Sequence, residues 1–297
     1  MTENTKELIV AIAQNDLVRA KKAAIAVVAT NKTKKDDVFC KQIISKLQNE
    51  PTIIPLPIDI SNFAIMEDVS QTFIRNRYFL PDKEHQLYIQ INNADKVNKI
   101  LAEKRIRYIN TTLLYGESGT GKTTFGRYVA YELGIPFLYL NFAYLIDSHL
   151  GQTGKNIQKV FEFAKKQRCV LMLDELDAIA ISRGENNDVG EIPRIVIALM
   201  QSFDCLNNDI IVIAATNRLE AIDKAVTRRF SRVHEVKQLD TNESSDFASL
   251  YLSDCGYDIS PSEVDEIIGN SRKQSEIEDK LINYIINKEV QEAKTDK

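Results

Sequence analysis

Tyr115-Gly-Glu-Ser-Gly-Thr-Gly-Lys-Thr-Thr124 constrains this chain more than any other stretch. Gly116 to Thr123 fits G-x-x-x-x-G-K-[ST], the pattern of a loop that cradles phosphate. The apolar run before it, Thr112-Leu113-Leu114-Tyr115, reads as a buried strand. Phe125 to Leu133 after it carries helical apolar spacing that Gly134 and Pro136 end. Strand, glycine loop and helix therefore follow in the order such a loop needs. Gly116, Gly119 and Gly121 let the backbone turn tightly, so that successive N–H groups point inward at a triphosphate. The helix opening at Lys122 adds its positive end. In this reading Glu117, Ser118, Thr120 and Thr124 complete the nucleotide-binding loop, Lys122 reaches the β- and γ-phosphates of ATP, and the Thr123 hydroxyl ligates Mg²⁺.

Two further apolar runs end in polar groups. Cys169-Val170-Leu171-Met172-Leu173 leads into Asp174-Glu175. An apolar strand that delivers two carboxylates beside a triphosphate site assigns Asp174 to the Mg²⁺ shell and Glu175 to polarising the attacking water. Ile210 to Ala215 ends in Thr216-Asn217. Ligands sit at the carboxyl ends of parallel strands in open α/β sheets, so the Asn217 amide is placed to orient water or touch the γ-phosphate. With Phe137 to Leu140, these runs alternate with helical stretches near 156–166 and 193–206. That alternation predicts a parallel sheet with helices on both faces.

The flanks divide the chain. Residues 4–29 keep helical spacing, interrupted near a cap at Asn15-Asp16, and a further helix is expected from Asp37 to Leu47. Residues 1–50 thus form a small helical module, either docking a partner or packing as a layer. Pro51, Pro55 and Pro57 mark 51–75 as a linker. Residues 76–237 are expected to form the large α/β nucleotide-binding domain, with helical stretches near 69–77 and 89–104 ahead of its first strand. A base pocket would be completed there, but no residue identifies the base. From Leu239 the spacing is helical again, so 238–297 reads as a lid domain with a charged tail.

Composition excludes little beyond this. Net charge is −4, which argues against the basic face of a nucleic-acid binder. No apolar run of about 18 residues is present, and Met-Thr-Glu-Asn-Thr-Lys-Glu lacks a signal pattern, so a soluble, cytoplasmic chain off the membrane is expected. Cys40, Cys169, Cys205 and Cys255 are scattered, as are His85, His149 and His234, which points away from a structural metal site or a disulfide framework.

Gly116 to Thr123, Leu173-Asp-Glu-Leu-Asp177, Ala214-Ala-Thr-Asn217 and Ala221 to Phe230 together resemble the AAA+ ATPases over about residues 75–285. The nearest likeness is to the subgroup of katanin, spastin, the membrane AAA proteases and Rubisco activase. The resemblance implies a Mg²⁺-dependent ATPase assembled as a homo-oligomeric, hexameric ring, with sites shared between subunits. Arg228 and Arg229 match the paired arginines such proteins insert into a neighbour's site, where a guanidinium stabilises phosphoryl charge. Ser148-His149-Leu150-Gly151 falls where the family places its pore loop. His149 stands in the aromatic position of that loop, ahead of Leu150 and Gly151, and is a weaker apolar grip, which leaves threading open. Residues 183–190 correspond to the second pore loop, and Glu191 and Arg194 to charged residues between subunits. The lid shows no clear sensor-2 arginine; Arg272 and Lys273 stand closest to that place. The function implied is remodelling or disassembly of a protein partner. The alternative is an ATP-gated oligomeric switch that activates a separate effector, for example in bacterial defence.

Overall fold

The computed structural model describes residues 1–13, 17–30, 40, 53–148, 152–179 and 191–295. Helices α1 (Glu3–Ala13) and α2 (Leu17–Thr30) pack on each other, burying Ala11 and Ala23. The cap at Asn15-Asp16 and the helix expected over Asp37 to Leu47 lie outside the described residues, apart from Cys40, which is buried.

The centre is one sheet of seven strands: β1 (Ile53–Ile54), β2 (Ala64–Glu67), β3 (Asn110–Tyr115), β4 (Phe137–Asn141), β5 (Val170–Asp174), β6 (Ile211–Thr216) and β7 (Arg232–Glu235). Their order is β1-β2-β4-β5-β6-β3-β7. Strands β4, β5, β6, β3 and β7 are parallel, with Leu113 opposite Ala214 and Leu171 opposite Val212. Successive side chains on a strand point to opposite faces, so each strand feeds two cores. Leu113, Leu171 and Val212 join one core with Ile157 and Phe161 of α5 (Thr153–Lys166) and Leu199 and Phe203 of α6 (Glu191–Asp204). Leu114, Met172 and Ile213 join the other with Ile91 of α3 (Asp82–Glu103) and Phe125 and Val129 of α4 (Lys122–Leu133). Burial on both faces is why these strands read as unbroken apolar runs. Cys169 is fully buried in the first core, and burial pushes its thiol up to about 12, in keeping with a small core hydrophobe.

Within the interval expected as a linker, residues 53–67 add two strands to the sheet. β1 and β2 pair antiparallel at the sheet edge, β2 against β4, with Ala64 and Met66 inward and Ile65 outward. A helical turn (Val69–Thr72) and a 3-10 turn (Arg75–Arg77) follow, in place of one helix over 69–77. Prolines are tolerated on such an edge because few ladder bonds are needed there.

Beyond β7, helices α7 (Thr241–Asp254), α8 (Pro261–Ile268) and α9 (Gln274–Thr295) enclose a third core of Leu239, Phe247, Leu252, Val264, Ile268, Ile277 and Leu281. Two capping boxes start this lid, Asp240 with Glu243 and Ser260 with Glu263. Among the described residues no helix is long and apolar enough to cross a membrane.

Candidate active site

The ends of β3, β5 and β6 converge. Tyr115 lies opposite Thr216, and Leu173 opposite Ala214, so Gly116, Asp174 and Asn217 leave the sheet side by side. At Gly116 the backbone sits at φ +147°, and a Cβ there would fall 2.2 Å from the Val236 carbonyl oxygen. Gly119, at φ +81°, would place a Cβ 2.2 Å from Ser275 Oγ. Bare backbone is required because β7 crowds one side of the loop and the lid crowds the other.

Lys122 opens α4 and is buried, 7% exposed. Its Nζ donates to the Gly116 oxygen (2.9 Å), the Glu117 oxygen (2.7 Å) and Asn217 Oδ1 (2.8 Å). Burial lowers its pKa, while Asp174, Asp177 and Glu117 oppose that shift. The Thr123 hydroxyl donates to Asp174 Oδ2 at 2.7 Å. The other Asp174 oxygen accepts the Glu175 N–H at 2.9 Å. Glu175 itself is exposed and holds φ +54°, the left-handed region that L residues avoid. The peptide after it is pinned, since the Leu176 N–H donates to the Ala215 oxygen at 3.0 Å. Backbone strain of this kind occurs where a site dictates side-chain direction.

The loop's remaining residues face two ways. Thr120 is buried and donates to the Glu117 oxygen at 2.9 Å. Ser118 and Thr124 line a cavity of about 560 Å³ along with Lys122, Thr123, Asp174 and Asn217. Glu117 turns to the lid, accepting from Gln238 Nε2 (2.9 Å) and pairing with Lys273 Nζ (3.1 Å), which holds its carboxyl below the usual range. At its far end the cavity is walled by Phe73, Ile74, Arg77 and Tyr78 on one side and by Phe247 and Tyr251 of α7 on the other.

A hydroxyl and a carboxylate at hydrogen-bonding distance, at the mouth of a glycine loop, suit a small hard cation that takes oxygen ligands. Thr123 and Asp174 therefore fit Mg²⁺. Among the described residues no cluster of three His, Cys, Asp or Glu offers another metal site.

The two arginines are not at the cavity. Arg229 donates through Nε and Nη2 to both Asp204 oxygens, at 3.0 and 3.1 Å, within its own chain. Arg228 is exposed and, among the described residues, forms no side-chain hydrogen bond or ion pair. Arg194 is exposed on α6. His149, Leu150, Gly151 and the loop 183–190 lie outside the described residues, as does the side chain of Glu191. Arg272 is used within the lid, donating to the Ser271 oxygen (2.7 Å) and to Thr241 Oγ1 (3.2 Å).

Asp177 closes the Leu173-Asp-Glu-Leu-Asp177 motif, but nothing in the sequence assigns it a role. Its Oδ1 accepts from Thr216 Oγ1 (2.9 Å) and the Asn217 N–H (3.2 Å), so it sets the position of Asn217. The signal was its place two residues past Glu175 on the same strand exit. The contact between Lys273 and Glu117 had no such signal, being a product of how the lid folds back.

Residues 112–238 match the AAA family, described as ATPase family associated with various cellular activities. This segment is an AAA domain. Its similarity extends to an uncharacterized AAA family ATPase of Sinorhizobium fredii, 33% identical over 181 residues, which cover 61% of this chain and 54% of that protein. The peroxisomal ATPase PEX6 of Arabidopsis thaliana is 36% identical over 144 residues, 46% of this chain and 15% of that protein. A proteasome-activating nucleotidase of Methanococcus maripaludis is 35% identical over 146 residues, 47% of this chain and 36% of that protein. The chain thus spans about half the length of the rhizobial relative and less of the other two. The matched AAA domain holds the glycine loop, the carboxylate pair, Asn217 and both arginines.

Proposed function

We propose that this AAA domain hydrolyses ATP, and that the chain works as a homo-oligomeric, hexameric ring acting on a protein partner. The observation that carries the reading is the 2.7 Å contact between Thr123 and Asp174, with Glu175 the next residue and Lys122 buried beside them. Thr123 and Asp174 would hold Mg²⁺, which when bound neutralises charge on the phosphate oxygens. Lys122 exchanges its loop carbonyls for β- and γ-phosphate oxygens. Glu175 accepts a proton from the attacking water, and Asn217, steadied by Asp177, fixes that water's direction. Gly119 and the loop N–H groups cradle the phosphates, and the apolar far end of the cavity takes the base. The nucleotide-binding unit runs from about 53, since β1 and β2 belong to its sheet, to 237, followed by the lid.

The ring is supported by Arg228, exposed and unpaired among the described residues, which suits a guanidinium given to a neighbouring subunit. A protein partner is supported by similarity to a peroxisomal ATPase and a proteasome-activating nucleotidase. The α1–α2 pair is the natural recruiting element. The test is ATP turnover with and without Mg²⁺, for wild type beside Glu175→Gln. The expected result is Mg²⁺-dependent turnover that falls by orders of magnitude in the variant while nucleotide binding persists. Equal turnover in both would overturn the site assignment.

A further inference from the structure

The far wall of the cavity joins residues 177 positions apart in the chain. Arg77 ends the 3-10 turn ahead of α3. Tyr251 and Asp254 stand three residues apart on lid helix α7 and so share a face. Arg77 Nε donates to Asp254 Oδ2 at 2.7 Å, and its guanidinium carbon lies 5.4 Å from the centre of the Tyr251 ring. Arg77 and Tyr251 both line the cavity, and Phe79, two residues on, packs against the lid core. A planar guanidinium can bond a carboxylate along its edge while stacking on a ring through its face, which an ammonium cannot do at once.

We infer that Arg77 is a positioning residue for nucleotide retention: by holding Asp254 and Tyr251 it keeps α7 against the wall that takes the base. Nucleotide then leaves only when this tether opens. The inference rests on the ATP reading above and adds to it a specific control on release. At the opposite end of the cavity the lid is already held to the glycine loop by Lys273 on Glu117 and by the Ser275 N–H on the Gly119 oxygen at 3.2 Å. Arg77, with Phe79 beside it on the lid core and Asn76 also bonding Asp254, anchors the lid at this end, and attachment at both ends stops it from rocking. The side chains of Arg77 and Asp254 are 35% and 18% exposed. Salt reaches such a pair and weakens it.

The test is release of a fluorescent ATP analogue from the full chain on chase with unlabelled ATP. It compares wild type, Arg77→Met, Arg77→Lys, Asp254→Asn and the charge swap Arg77→Asp with Asp254→Arg, with thermal midpoints measured beside them. Arg77→Met is expected to release about threefold to tenfold faster, the size of one partly exposed ion pair and one cation–π contact, and Asp254→Asn, which loses the ion pair alone, about twofold to fivefold faster. Arg77→Lys falls between these and wild type, and the swap recovers part of the loss. Salt is expected to speed release from wild type by a larger factor than from Arg77→Met, which keeps the Lys273–Glu117 pair but has lost the pair to Asp254. Unchanged release in Arg77→Met, or a lowered midpoint with unchanged release, overturns the tether. Should Arg77→Met fail to fold, Asp254→Asn decides by the same criterion. Wild type that binds no analogue would overturn the ATP reading and the tether together, whereas bound analogue with equal release in every variant overturns the tether alone.

Discussion

Asp177 shows how one buried side chain can set the position of a residue at the candidate site. It is 6% exposed and satisfies both the Thr216 hydroxyl and the Asn217 N–H. Removing it leaves two polar groups at the strand end without an acceptor, and Asn217 loses the contact that directs its amide toward Lys122. Asp177→Ala is expected to lower kcat roughly tenfold, a cost of about 1–2 kcal/mol. Asp177→Asn keeps an acceptor oxygen and is expected to stay closer to wild type, so steady-state kinetics of the pair separates the hydrogen bond from the charge. Lys122, Thr123, Asp174, Glu175 and Asn217 were legible in the sequence because each sits at a fixed offset from an apolar strand. The φ of +54° at Glu175 was not legible, because a glutamate gives no sign of the left-handed region that Gly, Asn and Asp favour.

At the scale of elements, the strands read correctly are those buried on both faces. β2 and β7 escaped because they are four-residue strands, Ala-Ile-Met-Glu next to the two-residue edge strand β1 and Arg-Val-His-Glu at the other edge, with alternate residues open to solvent and too few positions to show alternation. β7 nonetheless fixes the glycine loop, since the Val236 N–H donates to the Tyr115 oxygen at 2.8 Å just before Gly116. Gly116→Ala is therefore expected to cost about 1–3 kcal/mol from backbone strain, and more if the Val236 carbonyl cannot withdraw. Calorimetry should show the lowered midpoint, and nucleotide affinity should fall with it. A second effect belongs to the joint between the 3-10 turn and the lid. The Arg77 hydrogen bond, followed by one from Asn76, holds the Asp254 carboxyl below its ordinary range. A folded-state pKa that is depressed contributes stability above the unfolded value, near 4 for Asp, and loses it as pH falls through the folded value. The stability difference between wild type and Asp254→Asn should thus be steady above about pH 5 and shrink below about pH 4. A difference that instead grows on acidification would contradict the pairing.

For the whole molecule, the outline of a parallel sheet under helices followed from alternation alone, whereas the closeness of lid and loop did not. Contacts such as Lys273 on Glu117 join segments whose order in the chain carries no distance information. The same limit applies to assembly, where the sequence could not rank Arg228 against Arg229. Arg229 is engaged at both ends of its fork by Asp204, while Arg228 is exposed beside it. Withdrawing Arg229 for use in a neighbour would break a bidentate pair; among the described residues Arg228 has none to break. Arg228→Ala is expected to lower turnover by orders of magnitude with nucleotide binding intact, and Arg229→Ala to act mainly by lowering the thermal midpoint. Specific activity of wild type should also climb with protein concentration. The decisive measurement mixes two inactive chains, Arg228→Ala and Glu175→Gln. If sites lie between subunits, some junctions pair the intact Glu175 of one chain with the intact Arg228 of the other, and turnover returns in the mixture. Mixtures that stay silent at every ratio, from chains that each still assemble, would place the whole reaction within one subunit.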